Sequence, residues 1–371
     1  MLRAGRLLLI LTTALAVVLS SAGSAVAEES LTVSEFKVDY DTLCRIRDQW
    51  IEQQLQKRPE GGWAPIEFHP TDQQLAAMGL PPAEVLASRR YDVPTLVTRS
   101  GRAVRLSPDE FQAAALPLPA LATYGGAGCL GIRPGAWLLL ISGNSIGWCS
   151  LAHVYGSPGS YNISTAGHCG KNGDTATVIA AFGNRGDLAG PVLLDFGTFT
   201  NSHDGGLGND WALIDIHPAY QSLVSPTMCF WGGPRGMYTK TGGIATVNWN
   251  NGSVTINPDP FLAQAVVHYG HGVGVGTGGT PRAGTSIHWG NSHFMFFGAI
   301  SPGDSGSGAN TLTGDSVGSN MEAAGIMTHL YIDPLMRQGF GIMGGTRATA
   351  VSGTLANGQI VPYPVPISGL P

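Results

Sequence analysis

Apolar positions fall into three regimes along the 371-residue chain. Leu7 to Leu19 is an almost unbroken apolar run behind Arg3 and Arg6. It leads to Ala25-Val26-Ala27 ahead of Glu28-Glu29, the layout of a secretory signal with small residues at the cleavage site. Phe36, Leu43, Ile46, Trp50 and Leu55 then recur near helical spacing after Ser34, and Thr71-Asp72-Gln73-Gln74 reads as a capping box ahead of Leu75. Ser107-Pro108-Asp109-Glu110 reads as a second box, with proline at the first helical position. Beyond these helix signals come short strand-like runs, among them Ala176 to Phe182, Val192 to Phe196, Trp211 to Ile216 and Ala245 to Trp249. Asn251-Gly252 stands between Ala245-Thr246-Val247 and Ser253-Val254-Thr255-Ile256 and predicts a tight hairpin, because the dipeptide accepts positive φ. Short strands at this spacing, separated by Gly and Asn, predict an all-β barrel or sandwich.

Charge sharpens the division. Residues 28–110 carry 10 Lys or Arg and 14 Asp or Glu, whereas residues 111–371 carry 8 and 11 over three times the length, so the two segments differ in kind. The expected organisation is a signal peptide over 1–27, a charged and partly helical region over 28–120, a β-rich domain over 121–356 and an extended Pro-rich tail over 357–371, with no terminal helix. The net charge of −5 supplies no basic stripe, which argues against a nucleic-acid partner. No stretch after the signal approaches the roughly 20 apolar residues of a spanning helix, so the expected product is secreted and has no membrane association once the signal is removed. Nothing in the sequence fixes an oligomeric state.

Five cysteines in an exported chain read as disulfides with one left over. Cys149 and Cys169 bracket the strand and turn that carry His168 and are the first expected pair. Cys129 and Cys229 are the second, other pairings stay open, and Cys44 is left as a free or intermolecular thiol. No Cys-x-x-Cys spacing supports zinc, and the His203-Asp204 and Asn209-Asp210 loop does not match a calcium-binding loop. His268 and His271 are read as loop residues and Gly270 to Gly284 as a mobile loop without a phosphate-binding ending. No metal or cofactor is expected.

The chemistry lies in Thr165-Ala166-Gly167-His168-Cys169, Asn209-Asp210-Trp211-Ala212-Leu213-Ile214 and Gly303-Asp304-Ser305-Gly306-Ser307-Gly308. A serine hydroxyl is a weak nucleophile at neutral pH. It needs a base, and the base needs a buried carboxylate that fixes its tautomer and stabilises its cation. Gly303 and Gly306 flank Ser305, where missing side chains let backbone N–H groups converge on a developing oxyanion.

In this order and combination the motifs resemble those of trypsin/chymotrypsin-type serine endopeptidases, especially the exported bacterial branch, over roughly residues 125–350. The resemblance implies two six-stranded antiparallel β-barrels with the site in the cleft between them. It implies that His168 is general base then acid, that Asp210 orients it, that Ser305 attacks, and that the N–H groups of Gly303 and Ser305 hold the oxyanion. Thr328 would lie on the strand that pairs with a polypeptide substrate, its hydroxyl supporting Asp210, with His329 and Leu330 beside the primary pocket and Ala299 at its floor. With Ala299 in place of an acid, cleavage after Arg or Lys is disfavoured. Apolar or small side chains are expected, and His329 leaves a preference for acidic ones open. Asp304 needs a cation other than a new N-terminus, with Arg133, Arg235 and Arg282 as candidates. Residues 28–120 match nothing in the family. Slow folding of non-local strand pairing favours reading them as a propeptide that assists folding or blocks the cleft, and a retained helical module is the other reading. A protease homologue that is catalytically silent or held as a zymogen, serving as a binding module, is the alternative function, and an esterase lacks the Gly-x-Ser-x-Gly elbow it needs.

Overall fold

A computed structural model describes residues 67–80, 95–97, 103–105, 131–142, 145–181, 191–228, 231–248, 253–256, 263–270, 280–300, 303–313, 320–331, 340–355 and 358–362, with Thr42, Leu43, Arg45, Ile46, Gln49 and Gln53. The signal segment, the second capping box, Cys44, Cys129, Cys229 and His271 lie outside the described residues.

The N-terminal region contributes β1 (Glu67–Phe68) and the short helix α1 (Asp72–Ala77). The expected capping box forms at α1: Gln74 N–H donates to Thr71 Oγ1 at 3.2 Å and Thr71 N–H donates to Gln74 Oε1 at 2.9 Å. The first barrel is built from β2 (Trp137–Ser142), β3 (Ser145–Ser150), β4 (Val154–Ser157), β5 (Ser160–Thr165), β6 (Thr175–Ala181), β7 (Pro191–Asp204) and β8 (Asp210–Ile216). β3 and β4 are one path bent at Leu151-Ala152-His153, where Leu151 N–H donates to Ala136 O and Ala152 N–H to Ser164 O. Counted so, the sheet has six strands and closes on itself: β2 pairs β3, β4 pairs β5, β5 pairs β8, β8 pairs β7, β7 pairs β6, and β6 returns to β2, all antiparallel.

The second barrel uses β9 (Ala265–Gly270), β10 (Thr280–Trp289), β11 (His293–Ala299), β12 (Gly308–Thr313), β13 (Asn320–Tyr331) and β14 (Phe340–Arg347). Its ring runs β9, β10, β11, β14, β13, β12 and back to β9. Both rings therefore follow the order first, second, third, sixth, fifth, fourth, and closure leaves neither barrel with an open ring edge. This is the double barrel that the resemblance implied. The Ala245–Asn248 and Ser253–Ile256 strands pair as the expected hairpin, but with Ala245 opposite Ile256 and Asn248 opposite Ser253, a register that leaves four positions between the strands where a tight Asn251-Gly252 turn would leave two.

Inward positions alternate with outward ones along each strand, as a pleated sheet requires. Leu138, Val178 and Leu194 fill the first barrel beside Ile163 and Ile214. Val266, Phe294, Phe296 and Met343 fill the second. The expected absence of a terminal helix does not hold: ahead of the tail, β14 runs into a five-residue helix, α2 (Ala348–Ser352), whose Ala348 and Val351 are buried in the first barrel's core. Residues 359–361 then add to the edge of β4, Gly156 N–H donating to Gln359 O at 3.0 Å and Val361 N–H to Val154 O at 2.9 Å. Burial of these apolar side chains outweighs the low helix propensity of a five-residue segment and clasps the two barrels.

Candidate active site

Asp210 opens β8 at the interface of the barrels and is fully buried. A buried carboxylate persists as an anion only when donors replace its lost hydration. Gly167 N–H donates to Oδ1 at 2.6 Å and His168 N–H to the same oxygen at 3.1 Å. His168 Nδ1 lies 2.8 Å from Oδ2. Because a carboxylate only accepts, this contact places a proton on Nδ1, so that in the neutral imidazole it is Nε2 that carries the lone pair. The main chain of Asp210 is fixed from the other barrel: its N–H donates to Thr346 Oγ1 at 3.1 Å and its carbonyl accepts from that hydroxyl at 2.9 Å.

His168 sits on a single 3-10 turn, Gly167–Cys169, that follows β5. The Cys149–Cys169 disulfide, as expected, ties this turn to β3 across 20 residues. Closing a loop of that size contributes about 3 kcal/mol on the chain-entropy account. The Ser202 hydroxyl lies 3.0 Å from Gly167 O and 2.6 Å from Gly170 O and holds the turn from β7. Cys149, His168 and Cys169 offer their ligand atoms within 4.8 Å of one another, but both sulfurs are spent in the disulfide, which leaves no thiolate for a metal. The loop before Asp210 is closed by its own backbone, Gly205 N–H donating to Asn209 O and Asn209 N–H to Gly206 O, while the His203 ring packs at a tilt against Trp211, 4.4 Å between centroids.

Ser305 lies on the loop before β12. Its carbonyl accepts from Ser150 N–H at 2.8 Å, one residue beyond the disulfide cysteine of β3. Gly306 has φ of +85°, and a Cβ there would stand 2.2 Å from Thr165 Oγ1, 2.3 Å from Ser150 O and 3.2 Å from Ala166 N. The chain just after Ser305 is thus pressed against the residues just before His168, at a spacing only glycine fits. Gly306 N–H donates to Met327 O and Ser307 N–H to Asp304 O. Among the described residues, no acceptor takes the N–H of Gly303 or of Ser305.

The loop is anchored beneath by Asp304, whose Oδ2 accepts from Arg282 Nη1 at 2.5 Å, both side chains having no solvent exposure. Of the three arginines the sequence offered, Arg282 is the partner. Arg133 bonds the carbonyl and hydroxyl of Thr227, and Arg235 reaches Asn320. Gly270 makes room for the pair, since a Cβ there would lie 2.0 Å from Asp304 Oδ1. His268, beside this pair, donates from Nε2 to Ala299 O at 2.9 Å, and burial pushes its pKa down to about 4 against the opposing pull of Asp304. His153 is likewise pushed down to about 4 by burial, opposed by its hydrogen bond at 3.1 Å to Asn310 in the second barrel. Both imidazoles are therefore neutral near pH 7.

The specificity candidates are placed less closely. Ala299 ends β11 and is buried. Thr328 is buried on β13, with its hydroxyl 3.5 Å from Gly344 O; the support that the sequence assigned to it is given instead by Thr346, which grips the Asp210 backbone. His329 and Leu330 pair with Gly344 and Met343 of β14. Sequence reading also missed Ser150 and Ser202, polar residues with no motif of their own that become legible only once non-local strands meet, and gave Thr165 of the His168 motif no role.

No protein-family model and no curated protein matches this chain. Among solved structures it is similar to Thermobifida fusca Protease A at 17% identity, covering 62% of this chain and 98% of that one with a TM-score of 0.32. It is similar to the thermostable serine protease AL20 from an extremophilic microorganism at 15% identity, covering 57% and 89% with a TM-score of 0.36. It is also similar to Nocardiopsis Protease at 18% identity, covering 60% and 95% with a TM-score of 0.31. All three of these relatives in structure are proteases.

Proposed function

We propose that this chain is a secreted serine endopeptidase that hydrolyses peptide bonds through an acyl-enzyme on Ser305. The observation that carries this reading is the His168 contact to Asp210, because a proton held on Nδ1 by a fully buried carboxylate leaves Nε2 as a base facing outward from the pair. Asp210, fixed by two backbone N–H donors and by Thr346, would stabilise the imidazolium that forms when Nε2 takes the serine proton. Ser305 Oγ then adds to the scissile carbonyl, and the negative charge moves onto the carbonyl oxygen. The N–H groups of Gly303 and Ser305, which have no acceptor among the described residues, supply donors for that oxygen. Collapse of the intermediate breaks the C–N bond, the His168 cation gives its proton to the leaving amine, and water repeats the sequence on the ester to release the acid and restore Ser305.

The substrate is a polypeptide, and the disulfide suits export after removal of residues 1–27. Among the described residues no helix is long and apolar enough to cross a membrane. Ala299 on β11, with Thr328, His329 and Leu330 on β13, would form the primary pocket, which lacks an acid at its floor and takes apolar or small side chains. Turnover of an unfolded polypeptide by the purified protein tests the reading: Ser305→Ala and His168→Ala should each lower kcat by about 10⁴-fold or more. Activity that survives either change refutes it. Efficient cleavage after Lys in a peptide panel would refute the pocket assignment alone.

A further inference from the structure

The first barrel is apolar on both faces. Trp137, Leu139, Ile146, Trp148, Ile179 and Leu193 are all buried, yet they belong to a cluster separate from the barrel interior, which takes their strand neighbours Leu138, Cys149, Val178 and Leu194. Neighbours along a strand point to opposite faces, so the six residues form the outward surface of β2, β3, β6 and β7. The two tryptophans alone would expose about 300 to 500 Å² if uncovered, already in the range of the largest apolar patch on a typical soluble monomer. What covers them is the N-terminal region: Leu43, Ile46, Leu75, Met78 and Leu80 complete the cluster and are themselves buried.

A second contact comes from the backbone. β3 uses one edge to pair with β2, and its other edge pairs antiparallel with β1, Glu67 opposite Gly147 and Phe68 opposite Ile146. The bend at Leu151 leaves an outer edge on both β3 and β4; residues 359–361 pair the edge of β4, and the cover pairs that of β3. Neither contact involves the site residues, since the segments flanking His168 and Asp210 pack in the interior cluster of the barrel.

We propose that Leu43 and Ile46 together with residues 67–80 are a permanent cover of the first barrel's outward face, retained on the folded protein even when the chain is cut between residue 80 and residue 131. Of the two roles left open for the N-terminal region, this assigns these residues to a retained module whose partner is the barrel of the same chain, docked away from the cleft. Cutting would give a two-piece protein held by apolar burial and the β1 to β3 ladder rather than a released propeptide.

The full chain carrying Ser305→Ala, with a recognition sequence for a highly specific protease inserted within residues 106–125, tests this. After cutting, the two pieces should co-elute in native gel filtration, both should appear in the mass spectrum of that peak, and tryptophan emission should stay blue. Separation of the pieces in native buffer overturns the proposal. Hydrogen exchange on the uncut, unaltered chain gives a check that no variant can confound. The amides of Leu75, Met78 and Leu80 donate within the six-residue α1 and its C-terminal turn, an element too short to persist alone in water. Docked on the barrel they should exchange at least about 100-fold more slowly than in a free peptide. Exchange at the free-peptide rate overturns the proposal equally. Leu75→Asp and Met78→Asp should make Trp137 and Trp148 accessible to acrylamide, and unchanged quenching in either folded variant would count against the cover.

Discussion

Replacing Arg282 by Met separates the stability of the site loop from its chemistry. The guanidinium lies 2.5 Å from the Asp304 carboxylate, and neither side chain reaches solvent. Removing one member of such a pair leaves a buried charge without its counterion, a change that costs about 3 to 5 kcal/mol where it has been measured. For a domain of this size that lowers the melting temperature by roughly 10 °C. Asp304 also sets the position of the residue after it, and a displacement of about 1 Å at the Ser305 loop is enough to lower kcat by about 10²-fold. Adding Asp304→Asn removes the stranded charge, so the Arg282→Met, Asp304→Asn double variant should regain most of the lost stability while turnover stays low, because the loop has lost its anchor. Thermal unfolding followed by circular dichroism, together with kcat on one peptide substrate, reads both quantities. A single variant that melts within about 2 °C of the unaltered protein, or a double variant that regains activity along with stability, would refute the reasoning.

Acid should destabilise the fold through His153 and His268. Both have folded pKa values lowered to about 4 from 6.5, so between these limits the unfolded state binds more protons and stability falls as the pH falls. Each contributes roughly 3 kcal/mol over that window, and unfolding midpoints measured from pH 7 to pH 4 should show a shallower fall in His153→Asn than in the unaltered protein. Thr346→Val keeps the shape but removes the hydroxyl that bonds both the N–H and the carbonyl of Asp210. It should cost about 1 to 3 kcal/mol in chemical denaturation and lower kcat with KM unchanged, while Thr346→Ser should retain both. Gly306→Ala would need positive φ and would drive a methyl group into Thr165 Oγ1 and Ser150 O, so it should fold with reduced stability and lose at least about 10²-fold in kcat without a matching change in KM.

Local signals carried far into this molecule. Thr71 and Gln74 announced a capping box, Asn251-Gly252 a hairpin, and His168, Asp210 and Ser305 were marked by short motifs whose meaning is contained in a few neighbouring residues. Arg282 was narrowed to one of three because a carboxylate next to the serine demanded a cation. What escaped depends on contacts between distant strands. Thr346 supports Asp210 from 136 positions away on a strand with no motif, and Thr328, placed there by resemblance, turns its hydroxyl toward Gly344. The cover over the first barrel escaped because the apolar pattern around Leu43 and Ile46 fixes a helical face without naming what it packs against. The terminal helix was missed because Pro362 and Pro364 dominate the tail, while Ala348 and Val351, which hold the helix down, lie upstream of them.

The most direct test of the central claim is the intact mass of the folded protein after exposure to a fluorophosphonate, with peptide mapping of any adduct. The geometry predicts one covalent adduct on Ser305, absent in Ser305→Ala and formed at least about 10³-fold more slowly in His168→Ala, because only a base at Nε2 makes this hydroxyl reactive at neutral pH. A folded protein that takes no adduct, or one labelled equally well without Ser305, would contradict the claim.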